Sequence, residues 1–202
     1  AAFTVISFTF SVSSRWSSRS RVLQGKLPKI LSDWALRALL LILAAQSILL
    51  VWSARSHSPS WDEPAHLAAG ISHWQLGRFD LYSVNPPLVR MIAAAAVLTI
   101  DPPEMDWQLY NPNPLHRSEV LVARRMIEIN RDRTFNQFFI ARLAVIPFAL
   151  LGTAVCFFLS RSLFGDSSGV MAAALWAFSP TVLGYGSVIT PDLASGVIAP
   201  VL

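Results

Sequence analysis

Charge is absent from residues 38–54, and that gap constrains the fold more than any other feature of the chain. With Trp34 and Trp52 marking its two ends as interfacial aromatics, residues 34–54 form a helix long enough, at 1.5 Å per residue, to cross a hydrocarbon core that needs about 20 residues. Similar gaps recur later, and the charges are bunched between them. A soluble fold needs charge spread over its surface, but this chain is 53% hydrophobic and only 14% charged, with a mean hydropathy of +0.49. The pattern predicts an all-α fold, a polytopic transmembrane helical bundle.

Basic residues dominate ahead of the first run. Arg15, Arg19, Arg21, Lys26, Lys29 and Arg37 stand there with Asp33 as the one acid among them. The positive-inside rule therefore makes residues 1–33 a cytosolic tail. Its order of apolar residues 1–10 followed by a Ser/Arg-rich stretch is the reverse of a signal peptide. The net charge of +4 does not mark a nucleic-acid binder, because the cations form no aromatic-interleaved stripe. Cys156 lies inside an apolar run as the single cysteine, with no partner for an intrachain disulfide or a metal cluster.

Residues 55–137 read as one long exported loop. They hold many acids, arginines and prolines, and their one apolar stretch, 91–100, is too short to span. The loop is expected to carry helices lying along the membrane. One covers 118–133, with Ser118 as N-cap, Glu119 in the first turn and Leu121, Val122, Met126 and Ile129 at helical spacing, an interfacial amphipathic pattern. A second crossing follows at 138–160, then a cytosolic turn at 161–168, a third crossing at 169–189 in which Pro180 kinks or ends the helix, and an exported turn leading into a fourth from 190. The Ala1 start and the short final apolar run make the chain read as a piece of a longer protein. Three crossings from a cytosolic start put Asp192 on the same exported face as Asp62 and Glu63.

The sequence Trp61-Asp62-Glu63-Pro64-Ala65-His66 holds the densest cluster of reactive side chains. Two readings compete. Ser60-x-x-Glu63 is a capping-box pattern, with acids at the positive end of a helix dipole and Pro64 in the first turn. Two carboxylates beside a bilayer are costly, however, unless paired or used. His66 falls one turn after Asp62 and His73 two turns further, so the three share a helix face. A divalent-metal site from Asp62, His66 and a distant carboxylate is a further alternative, without any compact ligand motif behind it. Beyond Tyr82, the turn Asn85-Pro86-Pro87 forces an extended backbone, and Arg90 and Arg142 are cations at headgroup level, where they either bind phosphate or snorkel to lipid.

The segments WDEPAHLAAGISHWQLGRFDLYSVNPPL, ARLAVIPFALLG, RSLFGDSSGVMAAALWAFSPTVLGYG and TPDL, in this order and spacing, resemble the N-terminal part of the protein O-mannosyltransferase and aminoarabinose-transferase superfamily, family 39-like glycosyltransferases of GT-C fold. The likeness runs from about Trp34 to the chain end, interrupted at 101–136. It implies an inverting enzyme that moves a sugar from a polyprenyl phosphate to a hydroxyl of a protein, lipid or glycan on the exported face of a bacterial plasma membrane. By the same resemblance Asp62 and Glu63 occupy the catalytic acidic pair, Asp62 is its catalytic carboxylate, and Asp192 is a second acid. His66, Tyr82, Asn85, Arg90 and Arg142 are the substrate-binding candidates. The aminoarabinose enzymes carry a lysine where Asn85 stands, which moves the expected phosphate contact to Arg90 or Arg142.

Two other readings accompany this one. A non-enzymatic transporter or scaffold subunit would place ionisable groups mid-span, whereas the acids here lie at span ends. An inactive piece of the enzyme is the other.

Overall fold

A computed structural model describes residues 32–198, so nearly all of the cytosolic tail expected over 1–33 and the last four residues lie outside the described part. Among the described residues the chain is all-helical, without strands. Two helices are long and apolar enough to cross a membrane. The first, α1 (Asp33–Ser56), runs 24 residues, or about 36 Å. The other is the long helix Thr134–Phe164, named α5 below. Only 22% and 33% of their most apolar windows are buried in protein. A core helix of a soluble protein would be mostly covered, whereas here Leu41, Ile48, Trp52, Leu151, Phe158 and Leu163 face outward.

Between these two lie α2 (Glu63–Gln75), α3 (Leu88–Ile100) and α4 (Ser118–Asn130). Helix α2 is buried on almost every side, from Ala65 through His73. It pairs with α3 so closely that a Cβ at Gly70 would sit 2.2 Å from the Arg90 carbonyl oxygen, so only glycine permits this approach. Leu67 and Ile71 of α2, Val89 and Val97 of α3, Met126 of α4 and Phe138 of α5 share one core.

The interfacial reading of α4 needs correction. Its apolar face is taken up by protein: Val122 and Ala123 pack with Ala68 and Leu81, and Met126 enters the main core, while Leu121 stays outside. Ser118 is not the N-cap. Arg117 holds that position in a left-handed conformation, and the Ser118 hydroxyl donates to the Asn111 carbonyl at 2.9 Å.

Residues 169–189 also depart from expectation, forming no single helix. They split into α6 (Asp166–Ala177) and α7 (Pro180–Tyr185), followed by irregular chain and α8 (Asp192–Ile198). The cause is Pro180, which lacks an N–H and pushes the residue before it out of helical geometry; Ser179 has ψ 132°. The segment nevertheless returns along the bundle. At one end Asp166 accepts from the Ser32 hydroxyl at 2.5 Å and from Arg161 at 2.6 Å. At the other, the backbone N–H of Ile189 reaches Glu63. On the way, Trp176 lies against Gly152, where a Cβ would sit 2.5 Å from the indole, and its N–H donates to the Ala149 carbonyl.

Candidate functional site

The acidic pair at the start of α2 is divided by its surroundings. Glu63 is fully buried. Its Oε1 accepts from Arg142 Nε at 2.9 Å and from the Ile189 N–H at 3.1 Å, and its Oε2 from Arg142 Nη2 at 2.5 Å and from the Ser60 N–H at 2.7 Å. The last contact is the Glu63 arm of the Ser60-x-x-Glu63 pattern, but Ser60 is not the N-cap: α2 begins at Glu63 after Asp62, without a side-chain cap bond. Four acceptor positions on the carboxylate are thus filled.

Arg142 is spent in the same way. Besides Glu63 it donates to the carbonyls of Ala54 at 3.0 Å, His57 at 2.7 Å and Ser58 at 3.0 Å, so all five of its N–H groups are used. Neither the catalytic role expected for Glu63 nor the phosphate contact expected for Arg142 fits these environments. Both residues hold the turn between α1 and α2 in place.

Asp62 is exposed, and among the described residues its carboxylate makes no hydrogen bond or ion pair. It lines a cavity of about 750 Å³ between the start of α2, the outer face of α4 and the start of α5. Around it stand Tyr82, Arg117, Arg124 and Arg131, with Trp61, Ile127 and Phe135 as apolar wall. Tyr82, Arg117 and Arg131 have φ of 151°, 47° and 42°, and they are the non-glycine residues with positive φ among those described. All three meet at one cavity, where strain of this kind tends to be kept for a purpose.

His66 is buried one turn into α2, its ring edge-on to Tyr82 at 4.9 Å. Burial, then the Arg90 charge, lowers its pKa, while Asp62, Asp192 and Glu63 push the other way. Asp62 and Asp192, 130 positions apart in sequence, therefore act on one imidazole. Burial, then the Asp62 charge, holds Tyr82 above its ordinary pKa.

Arg90 is a loop clamp. It is 2% exposed and donates to the carbonyls of Tyr82 and Asn85, with its guanidinium 5.6 Å from the Tyr82 ring centroid. Neither Arg90 nor Asn85 lines the cavity that holds Asp62. His73 bonds the Arg78 carbonyl at 2.6 Å and stacks on Phe79 at 4.3 Å, which takes it out of any shared face with Asp62. Among the described residues no three of His, Cys, Asp and Glu converge closely enough to hold a metal ion.

Arg117, Arg124 and Arg131 escaped the sequence reading. Residue type alone does not distinguish a cavity arginine from a solvated one, and α4 read as a helix whose apolar side meets lipid. No family model, no curated protein and no solved structure matches the chain.

Proposed function

We propose that this chain carries the acidic site of an inverting membrane glycosyltransferase, one that moves a sugar from a polyprenyl phosphate to an acceptor hydroxyl at the exported face of a bacterial plasma membrane. In this reading the described part is the start of a polytopic bundle of GT-C type. Helices α1 and α5 cross the bilayer, α6 and α7 return together, and the Glu63 end faces outward.

The observation that carries the reading is the division of labour within the acidic pair. Glu63 is consumed by Arg142, whereas Asp62 is open on the wall of a 750 Å³ cavity that has both cationic and apolar sides. In the transfer, the acceptor oxygen bonds to the anomeric carbon as the bond from that carbon to the phosphate oxygen breaks. The phosphate leaves with the electron pair, and Asp62 takes the hydroxyl proton. A positioned base of this kind contributes about 10² to 10⁴ in rate. Positioning and charge stabilisation of the departing phosphate supply much of the rest.

The test is transfer by the full-length protein in membranes, supplied either with a radiolabelled polyprenyl-phosphate sugar or with the matching nucleotide sugar. Label is expected in an acceptor only from the lipid-linked donor. Transfer from the nucleotide sugar alone, or from neither donor under conditions where the protein is folded, contradicts the reading.

A further inference from the structure

Both arginines that the sequence offered for phosphate recognition are occupied elsewhere, Arg142 with five partners and Arg90 with the Tyr82 and Asn85 carbonyls. An anion entering the cavity beside Asp62 would meet different cations. We infer that Arg117, Arg124 and Arg131 form a binding site for the phosphate of a polyprenyl monophosphate, with the lipid chain lying over Trp61 and Phe135. The inference deepens the proposed function at the same cavity and rests on it for the sugar, though not for the lipid phosphate itself.

Charge comes first. Three arginines line this cavity with two acids, Asp62 and Glu128, while Glu119 outside the lining pairs with Arg117. Arg117 gives its Nε to Glu119 at 2.6 Å and Arg124 its Nε to Glu128 at 3.2 Å. Their terminal nitrogens remain available for the bidentate contacts that suit phosphate. The Arg131 side chain has no hydrogen bond or ion pair among the described residues, and it lies where α4 gives way to α5.

Backbone strain is the second observation. Arg117 and Arg131 hold positive φ at the two ends of α4, and ordinary helix ends do not require an arginine in that conformation. Both residues line one cavity, which gives the strain a function.

The apolar wall selects a lipid over a free anion. Trp61 is 90% exposed, and with Pro64, Ala65, Val120, Ile127 and Phe135 it offers a surface that inorganic phosphate cannot use but an isoprenoid chain can cover. Phe135 also fixes the level of the cavity. Arg55, in the last turn of α1, lies over the rings of Phe135 and Phe139 at 5.5 and 5.2 Å, so the cavity opens where both long helices end. Lipid phosphates stand at that depth when those helices span a bilayer. The anchor draws its arginines from residues 101–136, the stretch that interrupts the family likeness, so it belongs to this chain and is not a carry-over.

The test is a tryptophan-fluorescence titration of the full-length protein in neutral-lipid nanodiscs with a polyprenyl monophosphate, the matching polyprenol and inorganic phosphate. The monophosphate is expected to bind, with the polyprenol and inorganic phosphate each at least tenfold weaker. Arg117→Gln and Arg131→Gln should each raise Kd about tenfold, the size of a lost charge-assisted hydrogen bond, whereas Arg37→Gln near the other end of α1 should not. Arg131→Gly separates binding from folding: glycine accepts the φ of 42°, so its melting temperature should hold or rise while binding falls. Equal affinity for the polyprenol, equal affinity for inorganic phosphate, or unchanged binding in the folded arginine variants would each overturn the inference. Binding that follows the arginines in a protein that transfers no sugar supports the anchor and overturns the glycosyltransferase reading alone.

Discussion

Arg142 and Glu63, 79 positions apart, form a closed ion pair in which all five guanidinium N–H groups and four carboxylate acceptor positions are used. The pair joins the end of α1, the start of α2, the middle of the bundle and the chain before α8. It is almost wholly shielded, with side-chain exposures of 4% and 0%. Asp62 stands next to it with its own carboxylate open, so the node fixes the backbone on which Asp62 is carried. One acid of the pair is structural, and the other keeps an open carboxylate.

Removing one partner should be severe. Arg142→Met leaves a buried, unpaired carboxylate, and the expected loss is about 3–5 kcal/mol. Arg142→Lys should not restore stability, because an ammonium group has three donors and no fork to match a carboxylate. Equilibrium unfolding in detergent checks this; a loss below about 1 kcal/mol, the range of an exposed pair, would contradict the closed node.

Two buried histidines give the fold a pH dependence. Burial lowers His66 and His73 below the ordinary 6.5, so both stay neutral in the fold while the unfolded chain takes up protons. The contribution is full above 6.5 and is lost as the pH falls from there toward the depressed folded values. Melting temperature should therefore drop between about pH 7.5 and about pH 5.5, and the double variant His66→Gln/His73→Gln should flatten that drop. A profile of equal slope in the variant would sink the assignment.

The two long helices were legible in the sequence because a long apolar run with no charge, or with Arg142 alone near its entrance, has one economical conformation in lipid. Helix α4 was legible as a helix from its spacing, but its neighbours were not: the face of Val122 and Met126 fits a bilayer surface or a partner helix equally well, and α2 supplies the partner. Pro180 signalled a break, and the extended Ser179 before it shows why the third run cannot be one helix. At the site, the Asp62-Glu63 pair stood out by residue type. The resemblance singles out Asp62 of the two, but the closure of Glu63 could not be read, since it lies with Arg142 and Ile189, far along the chain. For the same reason Arg90 and Arg142 looked free and Arg117 and Arg131 went unmarked.

The proposed sidedness is open to labelling. In a Cys156→Ser background, Asp62→Cys and Asp192→Cys should react with a membrane-impermeant maleimide added from outside, and Asp166→Cys only after permeabilisation. Labelling of positions 62 and 192 from opposite faces would separate two carboxylates that here act on one histidine.

The most direct measurement is sugar transfer from a polyprenyl-phosphate donor by full-length Asp62→Asn. The amide keeps the shape of the carboxylate but accepts a proton poorly. Transfer should fall by about 10² to 10⁴, while melting temperature and donor binding stay at wild-type values. Wild-type transfer rates in the folded variant would show that the open carboxylate beside Glu63 is not the base.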